Sequence, residues 1–192
     1  MTPFEYLLLL AAIVLGLAIA DLAVSVQRLL AAGPRVRWDW LAPMAALVAF
    51  LKIVTQWWVW FAAQQIASGL TFEMFLAVLA AAVLLFLLAA TALPDDFGAG
   101  QVDLRAHYAT VSRRYWLLFG AQWLLATAAS LWAQIAVGKA HLDLASLVSP
   151  AWLVPLVAVS AAFTKNRWWH SAVLAGFIVA YIGQYLGHSL TH

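Results

Sequence analysis

The chain has 192 residues, of which 66% are hydrophobic and 9% charged, with a mean hydropathy of +0.93. Soluble domains carry about 25% charged residues, and the polar side chains here are too few to coat one large soluble core. Composition therefore excludes an ordinary soluble domain and implies a polytopic membrane protein. The net charge of +2 and the pI of about 9.2 do not signal nucleic acid, because the basic residues sit where membrane topology places them.

There is no cysteine, which excludes disulfides, thiolate metal sites and thiol nucleophiles. The start, Met1-Thr-Pro-Phe-Glu-Tyr, has no basic run ahead of the first apolar stretch. It reads as a retained first span, not a cleaved signal peptide.

Six apolar segments follow in order. The first covers about 4–30 and is broken by Gly33-Pro34. The second covers about 40–67 and ends at Ser68-Gly69. The third covers about 72–93, before Pro94-Asp95-Asp96 and the longest loop. The fourth, about 107–137, ends at Gly138-Lys139, and the fifth, about 144–163, carries Pro150 and Pro155. The sixth covers about 167–188. Only helices and closed barrels satisfy their backbone in lipid, and no alternating barrel pattern is present. The expected fold is all-α: one domain, a six-helix transmembrane bundle.

Lys and Arg set the orientation. Arg28, Arg35 and Arg37 follow the first span, Arg105, Arg113 and Arg114 surround the start of the fourth, and Lys165 and Arg167 precede the sixth. With six spans, these eight of ten basic residues share one side, Lys139 lies on the other, and Lys52 lies within a span. This predicts cytoplasmic basic loops and both termini outside, on the periplasmic side. Three of these cytoplasmic helix starts pair basic residues with aromatic rings: Arg35-Val-Arg-Trp-Asp-Trp, Arg113-Arg-Tyr-Trp and Lys165-Asn-Arg-Trp-Trp. Interfacial anchoring accounts for such a pattern.

Lys52 is the residue that most needs explaining. A charge at a span centre costs ~2.5–3.5 kcal/mol on insertion scales. Asp21 on the first span offers a counter-charge. In an antiparallel hairpin, positions equidistant from the turn share a depth, and the midpoint of Asp21 and Lys52 falls between Val36 and Arg37, in the middle of the connection. The expectation is an Asp21–Lys52 charged centre between the midplane and the cytoplasmic face, with Arg28 two turns beyond Asp21. Lys52, Gln56, Trp60 and Gln64 recur at i, i+4, i+8 and i+12 and form one stripe. Gln122, Ser130 and Gln134 form a row on the fourth helix, and Tyr181, Gln184, Tyr185 and His188 share a face of the sixth. Trp57, Trp58, Trp123, Tyr181 and Gln184 are candidate walls of a ligand site. An interhelical packing role accounts for the same residues.

Several motifs resemble an uncharacterised group of small bacterial inner-membrane proteins. They are Gly16-Leu-Ala-Ile-Ala-Asp-Leu with Arg28, the Arg-x-Arg-Trp before the second helix, the Leu-Pro-Asp after the third, and Asp103-Leu-Arg-Ala-His-Tyr. The resemblance implies a multi-pass protein of the bacterial inner membrane and carries no activity.

Other chemistries find little support. No histidine pair lies mid-span to hold haem, since His107 and His170 fall at one edge and His141, His188 and His192 at the other. His188 and His192, at i and i+4, with His141 and Asp143 on the same side, form a weak metal candidate. A Lys52 Schiff base with a retinal-like aldehyde does not match the rhodopsin pattern of a lysine on the last of seven helices. Hydrolase, protease and phosphate-loop motifs are absent, so an enzyme is not the expectation and no cofactor is assigned. The acidic residues Asp95, Asp96 and Asp103 read as a solvated loop salt-bridged to nearby arginines.

The expected function is a small channel or transporter. Asp21, Lys52 and Arg28 supply its charge, and Gln56, Trp60 and Gln64 line a path along the second helix. The expected partners are the lipid bilayer and further copies of the chain. The alternatives are a non-transporting assembly subunit and a binder of a lipophilic ligand such as a quinone, lipid or pigment.

Overall fold

In the computed structural model, residues 3–63, 71–95, 100–136 and 152–185 are described, and the statements below concern these. The structure is all-α apart from one short strand pair. Six helices follow in order: α1 (Pro3–Ala32), α2 (Leu41–Ala63), α3 (Phe72–Ala92), α4 (Leu104–Ala136), α5 (Leu153–Phe163) and α6 (Arg167–Tyr185). Three of them, α1, α2 and α3, are long and apolar enough to cross a membrane. The rest do not meet both conditions over their described residues. The expected continuation of the second helix to 67, the stretch 144–151 and the end of the sixth segment beyond 185 lie outside the described residues.

Four of the six described starts have a side-chain cap. Asp39 Oδ1 accepts the amide of Leu41 at 3.1 Å, and Thr71 Oγ1 accepts that of Met74 at 3.3 Å. Asp103 Oδ1 accepts the amides of Arg105 and Ala106 at 2.9 and 3.0 Å. Asn166 Oδ1 accepts that of Trp168 at 3.0 Å. Side-chain acceptors at these positions satisfy amides that a helix leaves unpaired. The Asp103 cap starts the fourth helix three residues earlier than the sequence suggests.

The connection from α1 to α2 is a 3-10 turn, Gly33–Arg35, followed by strand β1 (Val36–Arg37). Gly33 has φ of 53°, a left-handed value that glycine adopts without a Cβ penalty. Strand β1 runs parallel to β2 (Val102–Asp103), with Val36 opposite Val102 and Arg37 opposite Asp103. Arg37 also pairs with the Asp103 carboxylate at 3.3 Å. The capping amides of Ala106 and Arg105, together with the Arg37 and Arg105 charges, hold the Asp103 carboxyl below the usual carboxylate range. A second tie joins Asp39, before α2, to Arg167, at the start of α6. Trp40 Nε1 donates to Ser171 Oγ at 2.9 Å beside it. The three basic connections are thus bound to one another at one end of the bundle.

Helix α1 packs chiefly along α3, with less contact to α2. Its buried stripe explains this: Leu15, Leu22 and Leu29 recur every seven residues, and so do Ala11, Ala18, Ser25 and Ala32. Helix α3 answers with Ala81, Ala82, Leu85, Leu88, Ala89 and Ala92. Lipid tails are as apolar as leucine, so helices associate in a bilayer by close van der Waals fit, and small residues permit that approach. Further on, α3 packs along α4 and α4 along α5, while α2 packs against α6.

The aromatic helix starts divide into two kinds. Trp38, Trp40 and Trp168 are exposed, which suits anchoring. Tyr115 and Trp116 are fully buried while Arg113 and Arg114 are exposed, so the aromatic half of the Arg113-Arg-Tyr-Trp motif is core, not anchor. They lie about three turns into α4 on the face toward α2 and α6.

Candidate functional site

The buried face of α2 carries Leu41, Ala45, Val48, Lys52, Gln56 and Trp60. Lys52 is 6% exposed. Its Nζ lies 4.0 Å from the centroid of the Trp123 ring on α4. A cation over an indole face is stabilised by the ring quadrupole, by ~2 kcal/mol or more when desolvated. Among the described residues no carboxylate pairs with Lys52. One turn on, Gln56 Oε1 accepts from Gln122 Nε2 of α4 at 3.0 Å, and both side chains are buried. Gln122 Oε1 is buried with no hydrogen-bond partner among the described residues. Thr55 donates back to the Lys52 carbonyl at 3.1 Å. The result is a small polar centre between α2 and α4: an ammonium, two amides and an indole.

The structure does not join Asp21 to Lys52. Asp21 shares its surroundings with Asp95 and Arg28 instead. Ser25, one turn along, donates to Asp95 Oδ1 at 3.0 Å, and Arg28 donates to the Asp95 carbonyl at 2.7 Å. Hairpin arithmetic sets a common depth but not a common direction. The face of α1 bearing Asp21, Ser25 and Arg28 turns to the end of α3, whereas Lys52 turns to α4. Asp21 Oδ2 is buried with no hydrogen-bond partner among the described residues.

The other expected residues distribute as follows. Trp60 is buried on the Lys52 face. Trp57 is exposed and stacks on Phe61 at 5.2 Å, so it turns away from the polar centre. Trp58 is partly buried and meets Phe61 at 6.3 Å. Tyr181 is buried and stacks with Phe177 at 6.1 Å, and Phe177 lies 6.4 Å from Trp123. Gln184 is exposed. Gln134 donates to Ser130 of its own helix, so the far end of the α4 row closes on itself. Gln64, His141, Asp143, His188 and His192 lie outside the described residues. Among the described residues no cluster of three metal-ligating side chains forms.

A second buried polar group was not anticipated from the sequence. His170 Nε2–H donates to the Thr164 carbonyl at 2.9 Å, which leaves Nδ1 as an acceptor. Tyr108 O–H reaches Nδ1 at 2.9 Å, and Trp116 Nε1–H lies 3.0 Å from Nδ1 and 3.2 Å from the Tyr108 oxygen. Tyr108, Trp116 and His170 are all buried. An aromatic wall of Trp116, Phe119, Phe177 and Trp123 runs from this group to Lys52. Along α4 their nearest members, Trp116 and Gln122, stand six residues apart, or ~9 Å at 1.5 Å per residue. The sequence signal was Tyr108 and Trp116 at i and i+8, opposite a histidine close to the basic start of the last helix.

Comparison with protein-family models, curated proteins and solved structures finds no match to this chain.

Proposed function

We propose that the chain is a six-span protein of the inner membrane, with both termini on the side opposite the basic loops, and that it is a small channel or transporter. The observation that carries this reading is Lys52: a lysine in the middle of an apolar helix, 6% exposed, with an indole and two amides about it and no carboxylate among the described residues. Intramembrane ionisable residues mark ion and substrate pathways. A buried ammonium favours an anion and repels a cation, so the permeant carries negative charge. Lys52, Gln56 and Trp60 form the middle of the path, and Asp21 and Arg28 stand toward the basic end. Copies of this small bundle assemble into the working unit.

Purified protein in liposomes tests this with chloride and nitrate efflux against potassium efflux. Anion flux above empty vesicles is expected. Lys52→Met should abolish it while the protein stays folded and extractable, and Lys52→Arg should retain part. A parent protein without anion flux, or a Lys52→Met protein with parental flux, overturns the reading.

One observation favours a second reading, a non-transporting assembly subunit. The Lys52–Trp123 contact and the Gln56–Gln122 hydrogen bond both tie α2 to α4, and such ties are also what a purely structural pin needs. In that case Lys52→Met lowers stability or partner recovery, and the parent shows no flux to lose.

A further inference from the structure

The connection between α1 and α2 opens onto a groove that the transport reading does not use. Because α1 packs along α3, the outer flanks of α1 and α2 diverge and leave a groove of about 530 Å³ between them. Leu22, Val26 and Leu30 line it from α1, Leu47 and Phe50 from α2, and Trp38 from the connection. Gln27 is the one polar side chain among its lining residues apart from the Trp38 indole. The connection that supplies Trp38 also carries two exposed arginines. Arg37 is paired with Asp103. Arg35 makes no ion pair among the described residues, and the turn from Gly33 through Pro34 fixes its place three residues before Trp38.

An apolar trough lined by a tryptophan of the connection, with an exposed arginine three residues before that tryptophan in the chain, fits a molecule with a hydrocarbon chain and an anionic head. A partner helix fits poorly. A helix is about 10–12 Å across, so this volume seats little more than one turn. A free anion has no use for the apolar walls. Basic sites between helix ends bind anionic lipid head groups. We propose that this groove holds one anionic phospholipid, its acyl chain between α1 and α2 and its phosphate at Arg35. The proposal rests on the membrane reading but not on transport.

Native mass spectrometry of the detergent-extracted protein, with equimolar phosphatidylglycerol and phosphatidylcholine of matched chains, tests it. One retained lipid per chain is expected, with phosphatidylglycerol preferred. An arginine near a membrane surface contributes about a fivefold preference for anionic lipid, so Arg35→Gln should erase a preference of about that size while still retaining lipid. Ala23→Phe, which fills the groove from its α1 wall, should lose both lipids. Equal retention of the two lipids by the parent overturns the proposal, as does unchanged retention in Ala23→Phe. A shift from dimer to monomer in Ala23→Phe assigns the groove to a second copy and also overturns it. If Ala23→Phe does not fold, phosphatidylglycerol brominated on its chain replaces it as probe. The parent should lose a quenched emission component that Trp38→Phe lacks, and identical quenching in the two proteins overturns the proposal.

Discussion

Inserting a lysine at a helix centre costs ~2.5–3.5 kcal/mol, and at Lys52 the Trp123 face offsets a large part of this. Trp123→Leu should destabilise the protein by about 2 kcal/mol, with Trp123→Phe intermediate, read from thermal unfolding in detergent. In a cycle with Lys52→Met the two changes should couple, since the contact they remove is shared. Equal losses from Trp123→Leu in the parent and in Lys52→Met would place the effect in packing instead. The amide pair behaves differently. Gln122→Leu strands the Gln56 amide and should cost about 1 kcal/mol, whereas changing both to leucine should cost less than the sum of the single changes. The sequence made Lys52 and its stripe legible, because a lysine, two glutamines and a tryptophan recur at four-residue spacing in an apolar run. It could not supply the partner. Choosing between Asp21 and Trp123 needs the rotation of α2 about its axis, and no single-helix pattern contains that. The Tyr108–Trp116–His170 group was hidden for a related reason: its members are common interfacial residues until a second helix brings His170 to them.

At the scale of elements, the heptad of leucine and small residues on α1 was available in the sequence and identifies the seam with α3. A reading built on chain adjacency gives α2 as the partner, because short hairpins usually pack. Here small side chains on α3 admit a closer approach, and dispersion contacts decide in the absence of a hydrophobic gain between helices. The parallel strand pair β1–β2 was not legible, because two residues carry no periodicity. Its turn is testable. A Cβ at Gly33 meets no neighbouring atom within 4 Å, so Gly33→Ala should lose about 1 kcal/mol from backbone conformation alone. Gly33→Asn should lose less, and equal losses would point to something other than the left-handed φ. The Asp103 cap carries a pH dependence. Its carboxyl lies below the usual range, so its contribution is complete above the ordinary carboxylate value of about 3.9 and disappears as pH falls through the lower folded value. Hydrogen exchange at the Arg105 and Ala106 amides should accelerate in that acid window in the parent. Asp103→Asn should show no such window.

For the whole molecule, the number of spans turns on α4, α5 and α6. Helix α4 has 33 residues, a length of ~50 Å against a hydrocarbon core of ~30 Å. Arg105, Arg113 and Arg114 occupy its first turns, so these turns project and about 20 residues remain to cross, with Gln122 and Trp123 among them. Helix α6 has 19 residues, enough for one crossing without excess. Helix α5 has 11 described residues and crosses only if the stretch before Leu153 continues it. If all three cross, Arg35 and Lys165 share a side, and Thr2, Ser68, Lys139 and Thr191 share the other. A chain without cysteine permits a direct test. Single cysteines at these six positions are treated on intact membrane vesicles of known sidedness with a maleimide that cannot cross the bilayer. Positions 2, 68, 139 and 191 should label together from the outer face, and 35 and 165 only from the inner face. Labelling of 139 from the inner face would mean that α4 does not cross. Labelling of 191 together with 165 would remove the last crossing, and the parity of the basic loops would then have to be explained by charge alone.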